Sequence, residues 1–227
     1  MNTTAKLSFL VLGFAGAALA NADDICYWSF NGTLVLPLPE YGIGVAMPCG
    51  TAAQIGFQAG SPNDPTQGAT NHAWAVRVNP TQGTGNLTSG AQYMTSTLGF
   101  YNVQIAWDQF HSSVSSKYFR FQYTTNGTTW INRDQFSAND DNIFYSRSVD
   151  LSGIDGVNNN PLFGFRIVAE FGPSGQYEGS NPGSSYSSTA FWKFDMVHVT
   201  GDTVPEPAAA VGFVAGLLLL AARRRRG

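Results

Sequence analysis

From Asn21 to Asp202 apolar and polar residues alternate with a period of two, and no long stretch keeps the 3.6-residue apolar period of an amphipathic helix. His72–Val78 sets Trp74, Val76 and Val78 against Ala73, Ala75 and Arg77. Gly99–Trp107 places Tyr101, Val103, Ile105 and Trp107 on one face, and Tyr118–Tyr123 does the same with Phe119, Phe121 and Tyr123. Pro161–Phe171 alternates Phe163, Phe165, Ile167, Ala169 and Phe171. Ile25–Phe30, Thr128–Ile131 and Ala190–Val199 complete the series, the last with aromatic or apolar residues on both faces. Each run predicts a strand with one buried and one wet face, the pattern of antiparallel sheets. Asn31-Gly32 and Asn126-Gly127 predict tight turns. Eight or more such strands over this length predict an all-β, jelly-roll-like antiparallel sandwich. Two long turn-rich segments, Ala59–Asn71 and Gly172–Ser188, predict surface loops.

Both ends break this pattern. Lys6 followed by the apolar run Leu7–Ala20, ending in Ala18-Leu19-Ala20, predicts a signal peptide over 1–20. The exported domain is then 21–202, and a separate segment occupies 203–227. In that segment Ala208–Ala222 is uncharged and ends on Arg223, Arg224, Arg225 and Arg226. Fifteen helical residues span about 22 Å, a short transmembrane helix whose arginines orient it with the C-terminal side in the cytoplasm.

Charge narrows the partners. The exported part carries seven basic and fourteen acidic residues, a net charge of −7, which repels phosphate backbones and argues against nucleic acid. Its two cysteines, Cys26 and Cys49, predict one disulfide in an oxidising compartment.

Val204-Pro205-Glu206-Pro207, the apolar run and the arginine cluster together resemble the PEP-CTERM sorting signal. The resemblance implies that exosortase, a membrane-embedded cysteine protease-transpeptidase, recognises Pro205-Glu206-Pro207. It further implies transient anchoring in the inner membrane and then release to the cell surface or an exopolysaccharide matrix. From Gln92 to Gly201 the chain also resembles the lectin-like jelly-roll domains of exported bacterial surface proteins. The hairpin residues Phe119, Gln122, Tyr123, Asn126, Gly127 and Trp130 carry that likeness, with the segment Asp150-Leu151-Ser152-Gly153-Ile154. It implies a fold and leaves the ligand open.

Candidate chemistry is sparse. His72, His111 and His198 lack partners at metal-ligand spacing, and no nucleophile elbow or phosphate loop is present. Glu40, Glu170, Glu178 and Asp108 are the carboxylates weighed for glycoside hydrolysis, and nothing in the sequence pairs them. No cofactor is expected beyond a structural calcium near Asp140 and Asp141, where oxygen-bearing side chains cluster. Tyr177 and Tyr186 lie in a polar loop outside the periodic strands and are the expected glycan contacts. The sequence therefore reads as a non-catalytic, exported protein of the cell surface or matrix, either glycan-binding or biofilm-associated, with a purely structural matrix role also open. A carbohydrate-active enzyme on the same sandwich is the alternative.

Overall fold

Phe191–Thr203 is the longest strand among the described residues, β12, and most of one sheet assembles on its two edges. The computed structural model describes residues 22–204 apart from 33, 79 and 141; the leader 1–20 and the sorting segment from Pro205 onward lie outside the described residues. Twelve strands are described: β1 (Asp23–Trp28), β2 (Tyr41–Gly42), β3 (Gly44–Cys49), β4 (Ala53–Ala59), β5 (His72–Arg77), β6 (Gly90–Thr95), β7 (Phe100–His111), β8 (Tyr118–Thr124), β9 (Ile131–Ser137), β10 (Phe144–Asp150), β11 (Gly164–Glu170) and β12. They form two antiparallel sheets packed as a sandwich. One runs β10-β7-β12-β1-β2, with β5 and then β4 attached beside β1 on the same edge of β12; the other runs β3-β6-β11-β8-β9.

Aromatic side chains fill the space between the sheets. Phe165 stacks on Tyr93 at 4.8 Å and on Phe121 at 5.6 Å, and Phe121 stacks on Trp107 of the facing sheet at 5.7 Å. Tyr93 meets Trp28, Trp74 and Phe194 of the facing sheet edge-on. Stacked and edge-on ring pairs of this kind add to the burial of each ring.

The mixed faces of Ala190–Val199 have a local cause. Register with β7 shifts between Asp195 and His198, and Met196 adopts φ 45° there. The bulge inverts the alternation within one strand. Trp192 and Phe194 before it and Val197 and Val199 after it all face the core, and His198 turns outward.

Two expectations are corrected. Asn31-Gly32 does not make a tight strand-to-strand turn, because it lies inside the long connection between Trp28 and Tyr41, across which β1 pairs with β2. Asn126-Gly127 does join β8 to β9, with Gly127 at φ 77° and Asn126 Oδ1 accepting the Thr128 and Thr129 amides. The disulfide is also absent: Cys26 and Cys49 are both free. A Cβ on Gly44, the first residue of β3, would lie 2.9 Å from Cys26 Sγ, yet Cys49 is the last residue of that strand. Five extended residues separate the two by about 16 Å, against the roughly 4 Å between Cβ atoms that a disulfide needs. Burial pushes both thiols up to about 11. Thiol titration of denatured, unreduced protein is expected to find both cysteines free; finding none would overturn this placement.

Candidate functional site

Phe165 and Ile167 point into the core, so Arg166 between them points out of the five-stranded sheet. Its neighbours in register make a straight row with one side chain from each strand: Met47, Gln92, Arg166, Gln122 and Asn132. Hydrogen bonds lock half of the row. Arg166 Nε donates to Gln122 Oε1 at 2.5 Å, and Gln122 Nε2 donates to Asn132 Oδ1 at 2.6 Å. The Trp130 ring lies 4.5 Å from the Arg166 guanidinium, a cation–π contact that further fixes the arginine.

Two further rows flank it. Val45, Met94, Gly164 and Thr124 form one, and Met94 Sδ covers the space that a side chain on Gly164 would take. On the other side Gly90 has no side chain, and Arg120 forms a two-point ion pair with Glu170 that closes the far end. Burial lowers the Arg166 pKa, with Cys49 acting in the opposite sense, yet an arginine stays cationic at neutral pH. The face therefore offers one fixed cation, the amide side chains of Gln92 and Asn132, an indole and two methionines, with the buried Gln122 linking Arg166 to Asn132. Amides and a guanidinium suit hydroxyl and ring-oxygen acceptors, and the indole and methionines suit the apolar face of a sugar ring.

Tyr177 is buried inside the aromatic core, its ring packed between Phe171 and Tyr186 and its hydroxyl donating to Thr84 O at 3.0 Å. Tyr186 is half-buried, bonds Pro80 O, and walls an open hollow of about 340 Å³ with Lys117, Glu178 and Gln82. The loop aromatics are thus integrated with the core, which no period in the sequence revealed.

The structure pairs one of the weighed carboxylates. Asp108 of β7 and Asp195 of β12 are direct cross-strand partners, and Ser61 of the loop above donates its amide to Asp195 and its hydroxyl to Asp108. Asn63 Nδ2 also donates to Asp108 at 3.0 Å. Burial, its largest cause, raises the Asp195 pKa to about 7, with the charges of Asp64 and Asp108 adding to it. Asp195 is wholly covered and the pair fastens the loop to the sheet, while Asp108 also reaches the wall of a hollow of about 360 Å³ with Asp24, Arg147 and His198.

Asp140 is exposed and its carbonyl accepts the Tyr145 hydroxyl; Asp141 lies outside the described residues. Asp150 accepts the Ser152 amide, and Asn160 uses both amide atoms on Thr125, Gly156 and Leu162. These are turn-capping bonds. Among the described residues no group of three or more His, Cys, Asp or Glu side chains is placed to hold a metal ion. His72 contacts Thr70 O, His111 is buried, and His198 pairs with Asp24 at 2.6 Å.

No protein-family model matches this sequence, and no curated protein matches it. Solved structures do. The CBM22-1 xylan-binding domain of Paenibacillus barcinonensis Xyn10C superposes with a TM-score of 0.47 at 10% identity, covering 83% of this chain and 100% of its own. The C-terminal family 22 carbohydrate-binding module of Clostridium thermocellum Xyn10B gives 0.46 at 13% identity, covering 79% and 95%. The K1 cleaved adhesin domain of Lys-gingipain from Porphyromonas gingivalis W83 gives 0.38 at 10% identity, covering 71% and 99%.

Proposed function

We propose that this chain is an exported, non-catalytic surface protein whose sandwich binds a polysaccharide across the outer face of the five-stranded sheet. The observation that carries the reading is the row Gln92–Arg166–Gln122–Asn132 with Trp130 beside it, held in place by hydrogen bonds within the row and by the cation–π contact. Preorganised polar side chains lose little freedom on binding. The face carries no free carboxylate pair, which favours binding over hydrolysis.

Delivery rests on the sequence. The leader, Pro205-Glu206-Pro207, the apolar run and the terminal arginines support export, inner-membrane anchoring and exosortase processing. The acidic surface suits a neutral polysaccharide better than an acidic one.

The test is a glycan array with the purified chain, followed by titration of the best glycan against Arg166→Ala and Trp130→Ala. Loss of a charge-assisted hydrogen bond is worth about 1.5–3 kcal/mol, so Arg166→Ala is expected to weaken binding roughly 10- to 100-fold, and Trp130→Ala, which removes the ring that holds Arg166 and can stack on a sugar, is expected to weaken it as well. Unchanged affinity in both variants would place the site elsewhere. Sugar release from the array glycans would replace binding with catalysis.

A further inference from the structure

The end of the sandwich from which the chain leaves toward its sorting segment carries a rim of exposed apolar side chains. Ile43 is 89% exposed, Leu162 55%, Leu98 54% and Val204 48%. They are scattered in sequence and gathered by one segment, Thr95–Phe100. Thr95 Oγ1 donates to Ile43 O at 2.8 Å, Val204 N donates to Gly99 O at 2.8 Å, and Leu98 lies between these anchor points. Thr97 N donates to Asn160 O, and Asn160 Oδ1 in turn accepts the Leu162 amide at 2.7 Å. Apolar residues scattered singly over a surface need no explanation, but four brought together at one end do.

The chain's covalent geometry says what lies next to them. β12 is paired with β7 as far as Thr203–Phe100, so Val204 is fixed to the body. Only Pro205, Glu206 and Pro207 separate it from the uncharged run Ala208–Ala222. Four chain steps reach about 14 Å at most, and the polar layer on one side of a bilayer takes up roughly half of that.

We infer that this rim is a lipid-docking surface: while the chain is anchored, Ile43, Leu98, Leu162 and Val204 sit in the headgroup layer of the membrane that holds the tail. The inference rests on the anchored-tail reading proposed above and adds an orientation to it. The strands stand on the membrane by this end, and the Arg166 face looks sideways, open to polymer running along the surface. Asp23 and Asp155, exposed at the same end, set the lipid preference. They oppose an anionic surface, so the contact favours zwitterionic lipid.

The experiment uses the full chain in phosphatidylcholine vesicles. An environment-sensitive dye is attached at Leu98→Cys and, as a control at the opposite end, at Ser174→Cys. The native thiols, raised to about 11, stay unlabelled at neutral pH, and the labelled native chain checks this. Brominated lipid is expected to quench the dye at position 98 and leave the dye at 174 untouched. A blue-shifted dye at 98 that brominated lipid does not quench means that protein, such as a second copy, covers the rim, and overturns the inference. A dye at 98 that reports water in a chain that has partitioned into vesicles overturns the docking alone. A chain that stays out of the vesicles overturns the anchored tail, and the docking with it.

Discussion

Phe165→Ala is expected to remove about 3–5 kcal/mol of stability, a large share of the 5–15 kcal/mol typical of a folded domain. Phe165 is completely buried on β11, the central strand of its sheet, between Tyr93 at 4.8 Å and Phe121 at 5.6 Å. Through Phe121 the stack continues to Trp107 on the opposite sheet, so the truncation opens a cavity where the two layers meet. The surrounding rings cannot close in, because each is held by its own strand. Urea unfolding followed by tryptophan fluorescence measures the loss. A change below about 1 kcal/mol would mean that the core collapses around the site. Phe165→Leu, which keeps most of the volume, is expected to cost less than half as much. Arg166 is adjacent in sequence but outward, so Arg166→Ala is expected to keep most of the fold and weaken the proposed glycan binding.

The second large effect depends on pH. Burial, with the Arg147 guanidinium adding to it, lowers the His111 pKa to about 3. An unfolded histidine titrates near 6.5, so below that value the unfolded chain holds a proton that the folded chain refuses. This group therefore supports folding above about 6.5, and the support is lost as the pH falls toward 3. Asp195 has the opposite sign. Its folded pKa of about 7 lies above the unfolded value of about 3.9, so its support is complete below the lower value and is lost as pH rises through 7. Between about pH 4 and 6.5 the two slopes oppose each other, and wild-type stability is expected to change little from these groups. Removing one exposes the other. Relative to wild type, His111→Leu is expected to gain about 3 kcal/mol between pH 6.5 and pH 4. Asp195→Asn is expected to shift the other way, gaining relative to wild type as pH rises from 4 to 7. Denaturant melts at three pH values measure both. A constant difference between His111→Leu and wild type at every pH would show that the buried histidine takes up protons without unfolding.

The strands with a clean period were legible. β5, β7, β8 and β11 send every second side chain, the larger apolar ones, into the core and appear in the sequence as alternation, although β5, β8 and β11 are largely covered on both faces. β9 and β10 lie at sheet edges and expose much of both faces, so their sequences, INRDQFS and FYSRSVD, carry little alternation. β3 contains Pro48, which an edge strand tolerates because one side of its backbone needs no partner. Its apolar residues Val45 and Met47 face outward, the reverse of the usual reading. The bulge at Met196 hid the core face of β12 by placing half of it on each parity.

The candidate site was less visible than the fold. Gln122 and Trp130 stand out as parts of a hairpin pattern, but nothing local distinguishes Gln92, Arg166 or Asn132 from solvated polar residues. Tyr177 drew attention because it lay outside every period, and it proved to be core: a loop folded back on a sandwich buries side chains with no repeat at all. Asp108 and Asp195 are far apart in sequence and meet only because β7 and β12 are neighbours.

The sequence by itself determined the class of fold, through the two-residue period that burying one face of a strand imposes. It also supplies the whole basis for the proposal about the two ends, where uninterrupted apolar runs and a block of arginines break the two-residue period. Only the tertiary structure decided which strands neighbour one another. That choice separates Cys26 from Cys49, joins Asp108 to Asp195, lines up Gln92, Arg166, Gln122 and Asn132, and gathers Ile43, Leu98, Leu162 and Val204 at one end. Alternation is a local consequence of backbone pleat, whereas register between distant strands is settled by the packing of the whole core, and no window of the sequence contains it.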